Sequence, residues 1–560
     1  MLAYPDSLRR HDRRWIAPAL WAGMGLSLAL CYLGGTWPAM CAGLLLFGGL
    51  AALRPDLAVL FVPLTAPLFL TPIVLPTSGR QIALPPHELA LLVTAAAALP
   101  SILAERMRDR ETASATRYPG MGRFGRAAAG YAPEALLQIA GLAAVGMALP
   151  EPEAHADALR AFRWFIAEPL IFAALIRCRA LWPSAKTGTG ALVLAQRLLD
   201  VFVLGGTAVA LVGLLQFVGY LLHAHLEPAS FASGDGVLGG IRRVTSVYGN
   251  PNNLALYLGR VWPLAAALAL ADQERRTKGQ RWHLLVFGLS SLVCLGAIVV
   301  SFSRGAWMGA GAASMVLMLP AARRRLGGRL LPGILLAVTV VVGVGALIYA
   351  LRGGPMGGSA NVRILLWQES LKLLERHPLG VGLDQFFYYH HPAYGRSRID
   401  PSLANTQERY ARQPHNLLFE IWLNLGPPGL VAFVWLLVRC LRRARSTLRF
   451  PHSAESTLLT RGILAALAAT LIHGLVDSFY FWPDIAIAFW LLLVVHELIG
   501  HSSRSHAPQL RYNRVVSSYN QKDPAHDRRP AYTARSAAQN YHRGGPASLS
   551  GVDCDSEGAA

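Results

Sequence analysis

The sequence predicts an all-α fold: a polytopic membrane helical bundle of about 12–14 transmembrane helices, with one long extracytoplasmic loop bearing short helices. Three observations predict it. Hydrophobic residues fill 53% of 560 positions and charged residues only 15%, where a soluble chain carries roughly 25% charge. Mean hydropathy is positive, at +0.37. Apolar stretches close to spanning length recur from residue 15 to residue 500. This composition excludes disorder, collagen and a small disulfide scaffold as the main body.

Fourteen stretches are candidate spans: 15–33, 37–53, 57–76, 87–104, 134–149, 164–178, 198–222, 253–271, 282–301, 306–320, 330–351, 416–438, 462–480 and 484–500. Three of them (134–149, 164–178, 306–320) are short, as re-entrant or partly buried segments would be. Arg9, Arg10, Arg13 and Arg14 precede the first span, and no small-residue cleavage site follows it. That pattern reads as a retained signal-anchor.

The formal net charge of +20 would point to nucleic acid in a soluble chain. Its distribution points elsewhere. With the N-terminus inside, the inner segments hold 37 Lys and Arg, the outer ones 14, and Arg260 lies within a span. This is the positive-inside bias, so the charge reports orientation beside anionic membrane lipids and no nucleic-acid partner is needed. Both termini are expected to be cytoplasmic. Cys31, Cys41, Cys178, Cys294, Cys440 and Cys554 all fall in spans or on the inner side, which argues against an external disulfide framework.

Three regions follow: an N-terminal transmembrane bundle (1–222), a second membrane region (223–500) and a polar tail (501–560) without apolar period, expected to be disordered. The outer segment 352–415 is the only long one outside, and a loop of that length is usually functional. It opens Gly-rich (Gly353, Gly354, Gly357, Gly358). Residues 361–376 then read as a helix with one apolar stripe of Ile364, Trp367, Leu371 and Leu374, stopped by Pro378. Such a helix can lie along the membrane surface or cap a cavity.

Two motifs are near misses. His496-Glu497-Leu-Ile-Gly-His501 has its second His five residues on, which turns it away from the first on a helix, so the pair does not form a metal site. Asp553-Cys554-Asp555 lies in the tail and is best explained by chance. A Walker A loop, a G-x-S-x-G elbow and a C-x-x-C pair are absent, against an ATP-driven pump or a serine hydrolase.

The unusual polar residues gather at the outer ends of spans. Arg242-Arg243 precede Tyr248-Gly-Asn250-Pro-Asn252-Asn253, where Asn252 is placed to cap the next helix. The plainer option for this group is a capped turn with snorkelling arginines. Ser301-Phe-Ser303-Arg304-Gly305 links two spans, and an arginine there usually has a partner or ligand. Arg363 sits near a helix N-terminus, where the dipole disfavours a cation, one turn from Trp367. That placement suggests an anionic partner, against the plainer option of a solvated arginine over an aromatic ring. His415 opens a span and is the side chain suited to exchange a proton near neutral pH, although an interface or capping histidine is the commoner case. Asp477 reads as an intramembrane carboxylate, functional or else the structural partner of a nearby arginine.

Taken in order, GNPN, SRGA, R-x-x-x-W (363–367), H-P-L-G-V-G (377–382) with Phe386, HN (415–416), L-G-x-x-G-L and H-G-L-x-D (473–477) resemble the O-antigen ligase and polymerase superfamily, polytopic glycosyltransferases of the GT-C type. The resemblance covers roughly residues 240–480. It implies a donor glycan on an undecaprenyl-pyrophosphate carrier, passed at the outer face of the inner membrane to an acceptor hydroxyl on glycan, lipid or protein. It implies neither metal nor nucleotide cofactor. The family's key arginines fall on Arg304 and Arg363 and its histidine on His415; Arg243 and Asp477 are weaker carry-overs. Arginine forks suit a lipid pyrophosphate leaving group, and His415 suits removal of the acceptor proton. Direct attack inverts the anomeric carbon. The rival class is a transporter or flippase of a lipid-linked glycan, which would be expected to show inverted repeats and charges near the midplane.

Overall fold

The computed structural model describes residues 13–77, 80–115, 130–182, 190–226, 237–238, 241–275, 281–326, 359–391, 394, 410–449, 453–478 and 480–500. The predicted span 330–351, the Gly-rich start of the long loop and the tail 501–560 lie outside them, as do His501 and Asp553-Cys554-Asp555. Within the described residues the chain is almost wholly helical, as expected. The helices are α1 (Arg13–Leu33), α2 (Trp37–Leu53), α3 (Pro55–Ala58), α4 (Phe61–Thr65), α5 (Pro86–Ala115), α6 (Ala132–Gly146), α7 (Pro152–Phe162), α8 (Glu168–Arg177), α9 (Gly190–Leu226), α10 (Pro251–Arg275), α11 (Arg281–Val300), α12 (Arg304–Leu326), α13 (Ser359–Arg376), α14 (Phe386–His390), α15 (Leu417–Arg449) and α16 (Ala454–Gly474). A final helix, α17, covers Pro483–Gly500.

Eight of the described helices are long and apolar enough to cross a membrane, or nine if a bent pair is one span. The protein is an integral membrane protein. The bent pair corrects one expectation: 57–76 is not a straight span. Prolines 55, 63 and 67 break it into short helices that leave α2 at 118°. Its end instead forms an antiparallel hairpin, β1 (Ile73–Thr77) with β2 (Arg80–Leu84), in register from Ile73 opposite Leu84. A second, minimal pair joins β3 (Val237–Leu238) to β4 (Ile241–Arg242). The predicted short span 164–178 belongs to a longer helical run, since α7 passes into α8 through a π-helical segment at Arg163–Ala167.

α10 and α17 are almost entirely buried, with Arg260 on α10 and Asp484, His496 and Glu497 on α17 buried along with their apolar residues. α10 packs against α9, α11 and α16; α16 packs in turn against α12, and α15 against α6. The peripheral helices expose leucines such as Leu26, Leu45, Leu215 and Leu292, as lipid-facing surfaces do.

The break in α15 organises the long loop. Gly426 has a left-handed φ of 67°, and Pro427 and Pro428 follow it. Pro427 has no N–H to return to the carbonyl four residues earlier, so the Leu423 oxygen loses its helical partner. The H-P-L-G-V-G loop satisfies it: Val381 N–H and Gly382 N–H both donate to Leu423 O, at 2.8 and 3.2 Å. Trp422 Nε1–H donates to Pro378 O at 2.8 Å. The two glycine-rich motifs are therefore one docking joint.

At the predicted inner end, Glu497 on α17 accepts from Arg177 at 2.7 Å and pairs with Arg443 on α15. Glu134 joins Arg177 to Arg439 in the same network. Removing one member of a buried network leaves the others uncompensated, at a cost of about 3 kcal/mol. Glu497→Ala is expected to lower the melting temperature of the detergent-solubilised protein markedly, with Glu497→Gln closer to wild type. An unchanged melting curve for the alanine variant would show that the network adds nothing to stability.

Candidate active site

The site lies at helix ends that the charge bias predicts to face outward. Four segments build it. The first is the turn between α11 and α12. Phe302 takes a left-handed φ of 51°, Ser301 Oγ–H donates to Ile298 O at 2.7 Å, and Trp307 Nε1–H donates to Ile298 O at 3.2 Å. These bonds fix the start of α12, where Ser303 is buried and Arg304 is exposed. Gly305 is required next. A Cβ there would stand 2.5 Å from the His473 ring carbon Cδ2, so only glycine lets α16 approach this closely.

The second segment is the end of α16 and the link after it. Here one expectation is corrected. Asp477 is not inside a span; α16 ends at Gly474, and Asp477 lies in the link to α17. The link is stitched by Ser478 N–H to Asp477 Oδ1 at 2.8 Å and by Ser478 Oγ–H to Glu420 Oε1 at 2.7 Å. The third segment is α13. Its buried stripe is Val362, Leu366, Ser370 and Leu374, while Ile364 and Leu371 face outward. The predicted stripe thus rotates by part of a turn, because apolar residues occupy both sides of this helix and only the i, i+4 set meets the loop core.

The fourth segment is the start of α15. Asn416 caps it: Oδ1 accepts from Leu418 N–H at 3.0 Å and Phe419 N–H at 3.3 Å. Asn416 Nδ2–H donates to Leu475 O at 2.9 Å, tying α15 to the Asp477 link. His415, just before the cap, is held at a φ of 52°. A left-handed histidine costs about 1 kcal/mol or more and persists only where its surroundings fix it.

These segments meet at Asp477, which is buried with its side chain 4% exposed. Arg363 Nη2–H donates to Asp477 Oδ2 at 3.0 Å. His415 Nδ1 lies 3.0 Å from Asp477 Oδ1. Trp367 Nε1–H donates to the His415 carbonyl at 3.3 Å. His473 Nε2 stands 4.0 Å from Asp477 Oδ2 and 3.4 Å from Ser303 Oγ, which brings the residue beside Arg304 into the same group. Burial alone would raise the Asp477 carboxyl, but the His415 hydrogen bond and the charges of His415, Arg363 and His473 hold it well below the usual carboxylate range. It is therefore ionised and can only accept. Nδ1 of His415 then carries the proton, which makes Nε2 the accepting nitrogen of the neutral ring.

Arg243 braces the turn. Its Nε–H donates to Ser301 O at 2.9 Å, and its Nη2–H donates to Asn252 Oδ1 at 2.9 Å. Asn252 does not cap α10. The helix starts at Pro251, so the cap position is Asn250, whose Oδ1 accepts from Asn252 N–H at 2.8 Å. Of the six residues singled out in the sequence, Arg363, His415 and Asp477 are in direct contact. Arg243 and Asn252 join the turn that leads to Arg304. The anionic partner sought for Arg363 is at least Asp477, and a guanidinium with five N–H donors is not exhausted by one contact. His473 and Ser303 stand in the sequence motifs without an assigned role, and Glu420 and Ser478 carry no motif signal. The i, i+4 spacing of His473 and Asp477 was the available signal. The near-miss His496 is buried, with Nδ1 3.8 Å from Cys440 Sγ.

An almost wholly helical membrane fold thus brings cationic and titratable side chains together around one buried carboxylate. Residues 289–434 match the O-antigen ligase family, which supports the resemblance to the O-antigen ligase and polymerase superfamily. The match takes in Arg304, Arg363 and His415, and stops short of Asp477. It supports a glycosyl-transfer role of the ligase or polymerase type in cell-surface polysaccharide synthesis. No curated protein matches the chain.

The depressed Asp477 carboxyl has a sign. Its contribution to stability is present above the ordinary aspartate range, about pH 4, and is lost as pH falls below it. Asp477→Asn is expected to melt lower than wild type at pH 7, by on the order of 1–3 kcal/mol for the charged hydrogen bonds lost. It is also expected to lose less further stability between about pH 5 and pH 3. Equal acid sensitivity of the two proteins would contradict this.

Proposed function

We propose that the protein transfers or polymerises glycan from an undecaprenyl-pyrophosphate-linked donor onto an acceptor hydroxyl at the outer face of the cytoplasmic membrane. The observation that carries this reading is the convergence of Arg363 and His415 on one buried carboxylate. In this reading Arg304 and Arg363 hold the pyrophosphate oxygens and the charge that grows on them as the glycosidic bond breaks. The negative charge of Asp477 orients the His415 ring. Nε2 of His415 accepts the acceptor hydroxyl proton as the oxygen attacks the anomeric carbon, and that carbon inverts. Positive charge comes from side chains, without a metal. Residues 223–500 form the catalytic region, 1–222 the supporting bundle and 501–560 a cytoplasmic tail, with both termini cytoplasmic. The acceptor is a hydroxyl on glycan, lipid or protein.

Transfer by purified protein from lipid-linked glycan to acceptor separates this reading from a flippase. Arg304→Ala, Arg363→Ala and His415→Ala are each expected to reduce transfer by about 100-fold or more while still inserting in the membrane. Arg363→Lys is expected to be poorly tolerated, since an ammonium cannot form a fork. Normal transfer by any of the alanine variants removes that residue from the site. The product should show the inverted anomer only; retention overturns direct attack. In a deletion strain, single unpolymerised repeats indicate a polymerase, and full-length chains left on the carrier indicate a ligase.

A further inference from the structure

His415 is strained, so its position must be set from both sides. On the C-terminal side Asn416 is bonded to the Leu475 carbonyl. On the N-terminal side Gln413 Nε2–H donates to Phe481 O at 2.9 Å, and Pro414 between Gln413 and His415 has its own φ fixed by its ring. The outermost hold is Arg412. Its Nη1–H donates to Asp157 Oδ2 at 3.0 Å and to Asp384 Oδ2 at 2.9 Å, and its guanidinium lies over the Phe387 ring at 5.3 Å.

Asp157 belongs to α7, in the part of the chain outside the family match. It is shared further: Arg160 Nη2–H reaches Asp157 Oδ1 at 2.6 Å, and Tyr388 Oη–H donates to Asp157 Oδ2 at 2.9 Å. Beside it, Gln385 donates to Ala154 O at 2.9 Å and accepts from Leu149 N–H at 3.0 Å. Asp384 itself has a φ of 54°, so both loop residues that flank this joint are held against their backbone preference. Burial pushes the Asp384 carboxyl up to about 6, against the pull of Arg412, which leaves it largely ionised at neutral pH. Two arginines and two aspartates on three separate segments form one clasp, three residues from His415.

We propose that Arg412 is a positioning residue: through Asp157 and Asp384 it anchors the segment that presents His415, so that α7 of the N-terminal bundle sets the placement of the proton-accepting ring. This rests on the reading of His415 as general base. Arg412 is given no contact with substrate. A ring displaced by an ångström reacts more slowly without binding substrate less well.

The test compares steady-state transfer by full-length wild type, Arg412→Ala, Arg412→Lys, Asp157→Asn and His415→Gln, with lipid-linked glycan as donor. Arg412→Ala and Asp157→Asn should each lower kcat by roughly tenfold to a hundredfold with KM for donor and acceptor within about twofold. Arg412→Lys should recover most of the rate, because one ammonium can still bridge two carboxylates. Should Arg412→Ala fail to reach the membrane, the isosteric Asp157→Asn carries the same kcat test. A raised KM with unchanged kcat overturns the proposal, because Arg412 would then touch substrate. Wild-type kinetics for Arg412→Ala beside an inactive His415→Gln overturn this role alone. Wild-type transfer by His415→Gln overturns the general-base reading and this role with it.

Discussion

A carboxylate taken out of water must be repaid by partners, and Asp477 is that carboxylate here. Its two oxygens divide the work: one receives Arg363 and the other faces His415. The three residues come from α13, the start of α15 and the link after α16, which are far apart in the chain. Removing the carboxylate would leave two cationic or titratable groups without the charge that aligns them. The surrounding devices, from the Gly305 approach to the Asn416 cap, bring these segments to a common point.

The second constraint is backbone satisfaction in a membrane, where an unpaired carbonyl is costly. The paired prolines after Gly426 deprive α15 of helical bonds, and the long loop supplies them from Val381 and Gly382. The loop is therefore tethered to α15 by the defect in that helix. Asp384, Gln385 and Arg412 extend the tether to α7. This arrangement gives the N-terminal bundle a physical connection to the site.

The helical membrane character was legible, because apolar runs are properties of single segments. The identity of Arg363, His415 and Asp477 as a group was partly legible, since each is a charged or titratable residue where apolar ones are expected. The mutual contact was not, because it depends on how α13, α15 and α16 meet. Errors had local causes. Prolines 55, 63 and 67 broke a stretch whose hydropathy alone suggested a span. Pro251 moved the cap of α10 from Asn252 to Asn250. Apolar residues on both sides of α13 concealed which stripe is buried. The clasp around Arg412 left no sequence signal, because Asp157 and Arg412 are joined only in three dimensions.

The claim that Arg304 and Arg363 grip a diphosphate headgroup is tested most directly by equilibrium binding, without turnover. Undecaprenyl pyrophosphate lacking sugar would be titrated against labelled donor on purified wild type and on Arg363→Ala. The account predicts that the pyrophosphate lipid displaces donor from wild type and binds the variant about tenfold or more weakly, as loss of a charged hydrogen bond requires. Equal displacement from both proteins would contradict it.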